Sequence, residues 1–482
     1  MKHFLETRDL SIRASGLELD FPFLRLEQGQ THCLIGRSGS GKSLLATALA
    51  GLRIPGIRTS GQILLDGLPS ASSLWRDHVF LLPQEPGLAL DPTMSVGKQI
   101  AEVLKWRQAA DCVWTDAGAL AREVGLEDAD LTKMPAALSG GMQQRAMIAI
   151  ALAARASFIV ADEPTKGLDT HNKARVIALL KKLQSLERGL LVITHDLEVT
   201  RGLADTLSVI DAGRIVEQGP AARILGYPQS AAARSLVENE PAQWPSRVRS
   251  GKVKQDPVVH LSAVDFGFAP HHTLIENVSL EIRRGEVVGL FGASGIGKST
   301  LGDLCLALNT PNKGRLRWHG NLVTQRLARR FRARFQKLFQ NPVAAFPPNL
   351  ELATVFKKLT PVAQDAPLLS DLLQALDLNE ELLDRRPDQL SGGELQRMAI
   401  VRMLLGQPDF IVCDEPSSRL DTTVQRQTLD VIVADVRKRS AGALLISHDL
   451  EVLRKRADRI LELTEAGTLV PLKEEEVQGR AA

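Results

Sequence analysis

The chain has 482 residues, 44% of them hydrophobic and 24% charged, and a formal net charge of +3. That length holds two or more domains with cores of their own, and so small a net charge gives no reason to expect a nucleic-acid partner. Four scattered cysteines, Cys33, Cys112, Cys305 and Cys413, lack disulfide or metal spacing. Cys33 and Cys413 fall in apolar strand patterns, which fits buried thiols in a reducing compartment. Met1 to Glu6 shows no apolar core of a secretory signal, and no run approaches 18 uncharged apolar residues, so no membrane-spanning helix is expected.

In chain order, turn-rich short strands between Leu10 and Leu26 predict an antiparallel β layer. The apolar run Thr31 to Ile35 reads as a buried strand, and Leu44 to Leu52 as a helix. Between them lies Gly36-Arg37-Ser38-Gly39-Ser40-Gly41-Lys42-Ser43, which satisfies G-x-x-x-x-G-K-[ST]. In a strand–loop–helix setting this is a phosphate cradle. Glycines let backbone N–H groups converge on an anion, Lys42 reaches the β/γ-phosphates, and the Ser43 hydroxyl can ligate Mg²⁺. From Gln84 to Leu138 the pattern becomes helical and polar, as in a separate helical subdomain. Strand Ser157 to Ala161 precedes a helix from Lys173 to Leu186, and strand Leu190 to Ile193 precedes one from Leu197 to Leu203. Such alternation predicts a mainly parallel sheet covered by helices.

The second half repeats the first. Gly292-Ala293-Ser294-Gly295-Ile296-Gly297-Lys298-Ser299 follows strand Val287 to Phe291 and precedes a helix from Thr300 to Leu308. Leu138-Ser139-Gly140-Gly141-Met142-Gln143-Gln144-Arg145 returns as Leu390-Ser391-Gly392-Gly393-Glu394-Leu395-Gln396-Arg397. Phe158 to Pro164, ending Asp162-Glu163-Pro164, returns as Phe410 to Pro416, ending Asp414-Glu415-Pro416, and Thr194-His195-Asp196 returns as Ser447-His448-Asp449. The offsets are 292 − 36 = 256, 391 − 139 = 252, 415 − 163 = 252 and 448 − 195 = 253. Near-constancy marks a duplicated domain. Residues 1–240 and 258–482 are taken as the two copies, and Pro241 to Pro257, with three prolines and Arg247, Arg249, Lys252 and Lys254, as a solvated linker. A basic run from Arg326 to Lys337 reads as a solvated helix face leading to Gln340.

Phosphoryl transfer is mostly positioning and charge neutralisation. Asp162 and Asp414, at strand ends, can hold Mg²⁺ with Ser43 and Ser299, and the adjoining Glu163 and Glu415 can polarise the attacking water. Ser139-Gly140-Gly141 and Ser391-Gly392-Gly393 open helices and offer a capping hydroxyl with free N–H groups.

Phosphate loop, L-S-G-G-x-x-Q-R, apolar-D-E-P and a His at a strand end together resemble the nucleotide-binding domain of ABC ATPases, here twice. The resemblance implies a tandem P-loop α/β fold, each copy with a parallel core, an antiparallel layer and a helical subdomain. ATP and Mg²⁺ are its implied cofactors. It implies that His195 and His448 contact the γ-phosphate, that Gln84 and Gln340 sense that phosphate and the Mg²⁺, and that Asp169 and Asp421 lie in the loop that crosses between domains. It also implies that each signature closes on the opposite domain's ATP, pairing Lys42, Ser43, Asp162 and Glu163 with Ser391 to Gly393, and Lys298, Ser299, Asp414 and Glu415 with Ser139 to Gly141. Both sites carry a full set, so both are expected to hydrolyse ATP. Adenine stacking falls to Phe268 (or Phe266) in the second half, while Ile12 and Arg13 occupy that region in the first. Arg419 replaces a small residue.

Leu82-Pro83-Gln84-Glu85-Pro86, Leu90-Asp91-Pro92-Thr93-Met94-Ser95-Val96-Gly97-Lys98-Gln99-Ile100 and Ala212-Gly213-Arg214-Ile215-Val216-Glu217-Gln218-Gly219, continuing through Tyr227-Pro228-Gln229-Ser230 to Leu236, are similar to the peptide/nickel importer subfamily. That implies a peripheral subunit on the cytoplasmic face of a bacterial inner membrane. Its partners are two integral-membrane permeases and, indirectly, a substrate-binding protein, with no specific nucleic acid. The cargo is a peptide, nickel or a metal chelate. A soluble tandem ATPase of translation, DNA repair or a carbon–phosphorus-lyase-like complex is the alternative.

Overall fold

The computed structural model describes residues 3–14, 17–37, 39–52, 55–69, 78–107, 116–245, 256–269, 273–359, 369–417 and 420–472. The chain divides into two compact units, Met1–Glu238 and Asn239–Ala482. In the first, Thr31–Gly36, Phe158–Asp162 and Gly189–Ile193 are buried along their whole length. Strands covered on both faces need continuous apolar runs, and these three have them. They pair in parallel, Leu34 opposite Ile193 and Asp162 opposite Ile193, with Val79–Leu82 at the edge beside Phe158–Ala161. Parallel pairing brings the C-terminal ends of the strands to one edge, and with them Gly36, Asp162 and Ile193.

The predicted antiparallel layer is present. Phe4–Ala14 pairs with Leu17–Glu27 and with Arg58–Leu65. In the first unit this layer runs on into the parallel core as one ten-stranded sheet, joined where Arg214 lies opposite Asp20. In the second unit the layers are a four-stranded sheet and a six-stranded sheet. The helical subdomain of the first unit includes Val96–Trp106 and Ala117–Glu123. Their Ile100 and Leu120 share a core with Ala146 and Ile148 of the helix Gly140–Ala154, which is buried on every side from Gln144 onward. In the second unit Leu338, Phe356, Leu373, Met398 and Leu429 form the corresponding core. Among the described residues no helix is long and apolar enough to cross a membrane. Cys33, Cys305 and Cys413 are buried, and burial pushes the thiols of Cys305 and Cys413 up to about 12.

The segment expected to be a solvated linker is structured at its start. Pro241–Gln243 forms a 3₁₀ turn, and Trp244 is 1% exposed within the core of the second unit. Its indole N–H donates to the Asn239 carbonyl at 2.7 Å, and the Arg456 guanidinium lies 4.4 Å from the ring centroid. A single aromatic carries no periodicity, so the sequence pattern gave no signal. Arg247, Arg249, Lys252 and Lys254 lie outside the described residues.

The basic run is likewise not one helix face. Gln325–Phe331 is a helix with Arg326, Arg329 and Arg330 exposed, Arg332–Arg334 a 3₁₀ turn, and Phe335–Leu338 a strand. Arg334 donates to Asp409, whose carboxylate also accepts from His319 Nε2 at 3.2 Å. Burial raises Asp409, but these hydrogen bonds and the Arg334 charge outweigh it and bring the carboxyl down to about 2.

Trp244→Ala is expected to lower the stability of the second unit by about 3–5 kcal/mol, the range for a buried aromatic, and to leave the first unit's transition unmoved. Differential scanning calorimetry of the full chain resolves the two. Asp409 is depressed in the fold, so its stabilisation is present above the unfolded value near 4 and is lost as pH falls toward 2. The stability gap between wild type and Asp409→Asn should therefore close over that window in urea titrations.

Candidate functional site

Each phosphate loop leaves a buried strand and enters a helix, Lys42–Leu49 or Lys298–Cys305, whose cap is a glycine in the left-handed region (Gly41 φ 88°, Gly297 φ 109°). A side chain at Gly41 would stand 2.4 Å from Leu19, so both conformation and space require glycine there. Neither helix has an acidic residue in its first turn, which leaves the helix end positive. Lys42 Nζ donates to the carbonyls of Gly36 and Arg37, each at 2.8 Å, and to Ser40 Oγ at 3.3 Å. Lys298 Nζ makes the matching bonds to Gly292 at 2.8 Å and Ala293 at 2.7 Å. These contacts wrap each loop around its own ammonium. Gly39, Ser294 and Gly295 lie in the turns of the two loops, while Ser38 is outside the described residues.

The carboxylates meet the histidines in both units. Glu163 and Glu415 hold φ of 48° and 51°, which side-chain-bearing residues seldom adopt. The neighbouring strand pins this bend. The Glu163 amide donates to the Ile193 carbonyl at 2.8 Å, and the Glu415 amide to the Ile446 carbonyl at 3.1 Å. His195 Nδ1 lies 2.8 Å from Glu163 Oε1. In the second unit His448 Nδ1 lies 2.9 Å from Glu415 Oε2, and the His448 amide donates to Oε1 at 3.0 Å. Burial raises Glu163, yet the charge and hydrogen bond of His195, with Lys166 and Lys42, bring it below the usual carboxylate range. Burial disfavours protonation of His195, but Glu163 and Asp196 outweigh it and lift the imidazole above its ordinary value.

The residues expected to hold a cation also come together in part. Asp162 accepts a hydrogen bond from Ser43, and Asp414 one from Ser299. Burial raises both aspartates above the ordinary carboxylate range, and Asp162 Oδ1 is buried without a hydrogen-bond partner. A buried carboxylate oxygen left over beside a hydroxyl suits a hard divalent cation. Gln84 and Gln340 follow the edge strands as expected, but both side chains are exposed, and the structure shows no hydrogen bond from them to these aspartates.

Ser139 and Ser391 cap the helices Gly140–Ala154 and Gly392–Leu405, accepting from the Met142 and Glu394 amides. Ser391 adds a reciprocal bond, its amide donating to Glu394 at 2.8 Å, which Met142 cannot copy. Asp169 and Asp421 cap the helices Thr170–Ser185 and Thr422–Lys438. A side chain at Gly141 would press on Asn172 at 3.2 Å, and Asn172 in turn donates to Asp169, so in the first unit signature and aspartate share one partner.

For the base, the structure separates the two phenylalanines. Phe266 is 7% exposed and packs edge-on against Phe268 at 5.0 Å, and Phe268 is 76% exposed. Ile12 pairs with Leu19 and Phe266 with Ile275, so buried Ile12 corresponds to Phe266, and Phe268 belongs to a longer hairpin connection. In place of an aromatic, the first unit offers a cleft of about 460 Å³ lined by Ile12, Leu44, Ala48, Pro55 and Ile57. Arg419 lies outside the described residues.

Two lysines beside the carboxylates were not expected there: Lys166 carried no signal, and Lys337, expected on a solvated helix face, stands instead in the strand Phe335–Leu338 with its side chain 11% exposed. Lys166 bears on Glu163, and Lys337 Nζ lies 3.7 Å from Asp414. Aligning the copies by the 256-residue offset would have set Lys337 against Leu81 (337 − 256 = 81).

The sequence profile described as ABC transporter matches residues 22–166 and 275–418, together more than half the chain. A peptidoglycan transport ATP-binding protein YejF of Agrobacterium fabrum is 32% identical, over 95% of this chain and 90% of its own length. An ABC transporter ATP-binding protein YejF of Escherichia coli is 34% identical, over 91% and 89%. A glutathione import ATP-binding protein GsiA of Salmonella typhimurium is 29% identical, over 95% and 85%. The solved RNase-L inhibitor is alike in fold, with a TM-score of 0.68 at 23% identity over 98% of this chain. The chain belongs to the ABC transporter family of ATP-binding proteins, and it is an ATPase that carries two nucleotide-binding domains fused in one polypeptide.

Proposed function

We propose that the chain is the energy-coupling subunit of an importer for small peptide-type solutes, and that both of its phosphate loops bind and hydrolyse ATP. The single observation that carries the catalytic reading is the Glu–His pair at a strained strand end, present in both units at 2.8 and 2.9 Å. The carboxylate of Glu163, kept ionised by His195, accepts a proton as water attacks the γ-phosphorus, and His195 holds it in line. Lys42 and the loop amides neutralise charge on the phosphates, and Lys298 does so in the second unit. Asp162 with Ser43, and Asp414 with Ser299, would hold Mg²⁺. The cation would neutralise phosphate charge.

The cargo reading rests on relatives named for peptidoglycan transport and glutathione import, both peptide-containing molecules. Neither is named for nickel, so a peptide-type cargo is preferred to nickel or a metal chelate. Import requires membrane-spanning permeases on other chains, and no described helix here can span a bilayer. We therefore place the chain as a peripheral subunit on the cytoplasmic face. The likeness to an RNase-L inhibitor is one of fold alone and does not favour a soluble role.

Glu163→Gln with Glu415→Gln should keep ATP binding and lower turnover by about 10²–10⁴-fold, the contribution of general-base catalysis. Turnover within threefold of wild type would overturn the catalytic assignment. Affinity capture of the tagged chain from detergent-solubilised membranes should bring down two polytopic proteins in near-equal amounts. Capture with ribosomes or soluble enzymes alone would overturn the importer reading.

A further inference from the structure

In the first unit the histidine that meets Glu163 sits on a turn tied to a neighbouring helix. Thr194-His195-Asp196 leaves the strand Gly189–Ile193 and enters the helix Leu197–Leu203. Asp196 divides its carboxylate between two tasks. Its Oδ1 accepts from the amides of Glu198 at 2.9 Å and Val199 at 3.3 Å, and so caps its own helix. Its Oδ2 takes the Lys173 ammonium at 2.6 Å, and Glu198 pairs with the same ammonium. Lys173 stands near the start of the helix Thr170–Ser185, and its side chain is 16% exposed, so water screens the pair only in part.

Two short routes lead from Asp196 to Glu163. Along the chain His195 is the adjacent residue, and its Nδ1 lies 2.8 Å from Glu163 Oε1. Through space the Asp196 amide donates to Thr194 Oγ1 at 3.0 Å, and that hydroxyl donates to Glu163 Oε2 at 3.4 Å. Both carboxylate oxygens of Glu163 therefore depend on where Asp196 stands. On the other side of Lys173, Asn172 donates to Asp169 and borders Gly141 of the signature helix. An ordinary ion pair between two helices explains a lysine at this place, but Glu198, 67% exposed, would serve that purpose alone. The bond to Asp196, 28% exposed, adds a tie to the residue next to His195.

We infer that Lys173 is a positioning residue for the Glu163–His195 pair. By holding Asp196 against the helix that Asp169 caps, it fixes the turn from which His195 and Thr194 reach the two oxygens of Glu163. Through Asn172 it also connects that turn to the signature helix of the same unit. The inference rests on the proposed role of Glu163 as base and adds the residue that keeps the base in line.

The test uses the full chain carrying Glu415→Gln, so that turnover reports the first unit. Lys173→Gln installs the residue that the second unit has at this helix position, Gln425 (425 − 173 = 252), whose amide donates to Ser417 Oγ at 3.0 Å. It should lower kcat at least about fivefold, since an ångström of misplacement can cost about 100-fold, with KM for ATP held within about twofold. Lys173→Arg keeps the charge and the reach and should restore at least about half of the lost turnover. Asp196→Asn keeps the cap, removes the charge and approaches the same contact from the other side. It should lower kcat to a similar extent, and the double variant with Lys173→Gln should be no slower than the slower single one. A smaller loss of kcat in Lys173→Gln, with or without a lower melting temperature, reduces Lys173 to a structural ion pair and overturns the inference. Additive losses in the double variant, or a raised KM with kcat unchanged, overturn it as well. Glu163→Gln in the same background separates the two readings. If it leaves kcat within about threefold, the base assignment falls. If it abolishes turnover while Lys173→Gln does not lower it, only the role of Lys173 falls.

Discussion

The structure depends on a backbone hydrogen bond at the end of a strand. The Glu163 amide reaches the Ile193 carbonyl and the Glu415 amide the Ile446 carbonyl, and in doing so each holds a glutamate in left-handed backbone geometry. That conformation costs on the order of 1–3 kcal/mol, and it persists because buried parallel strands on both sides leave the chain no other course. The turn it enforces keeps Asp162 beside Ser43 and sends Glu163 toward His195, so two successive carboxylates serve two purposes. Without the turn, alternation along an extended strand would set them on opposite faces.

The fold was legible because its cues are local and repeated. A buried strand running into a glycine-rich loop and a helix announces itself in eight residues, and a second copy at a near-constant offset removes chance. The capping roles of Ser139 and Ser391 were equally open to reading, since a cap is decided within three residues, whereas Asp169 and Asp421, expected only in a crossing loop, turn out to cap helices as well. Trp244 and Lys337 were not legible. Each is an isolated residue whose partner stands far along the chain, Arg456 for one and Asp303 and Asp414 for the other, and no periodicity reports a contact of that kind. The basic run misled because consecutive arginines suggest one solvated face, whereas the chain crosses from helix to 3₁₀ turn to strand within it.

Duplication has preserved the chemistry and let its surroundings drift. Both lysines wrap their loops through the same pair of carbonyls, and both glutamates hold a histidine. Around them the copies diverge. The second unit has an exposed Phe268, a reciprocal Ser391–Glu394 cap and two separate sheets, and the first has instead an aliphatic cleft at Ile12, a simple Ser139 cap and one continuous ten-stranded sheet. Divergence is greatest in these surroundings and least in the phosphate loops and Glu–His pairs, as expected if transition-state charge is the stringent requirement of the proposed chemistry.

The indole of Trp244 gives the union of the two halves a direction in evolutionary time. Each half has its own sheet, cradle and catalytic pair, and the junction looks like the place where a gene could divide again. A break after Trp244 would carry away a residue that the second half keeps inside its core beneath Arg456. A break before Asn239 would send that residue along with its core, so a viable split of this gene has to fall upstream of the boundary that a proline-rich, basic stretch advertises. Fusion here works as a ratchet, because the tether has become part of what it tethers.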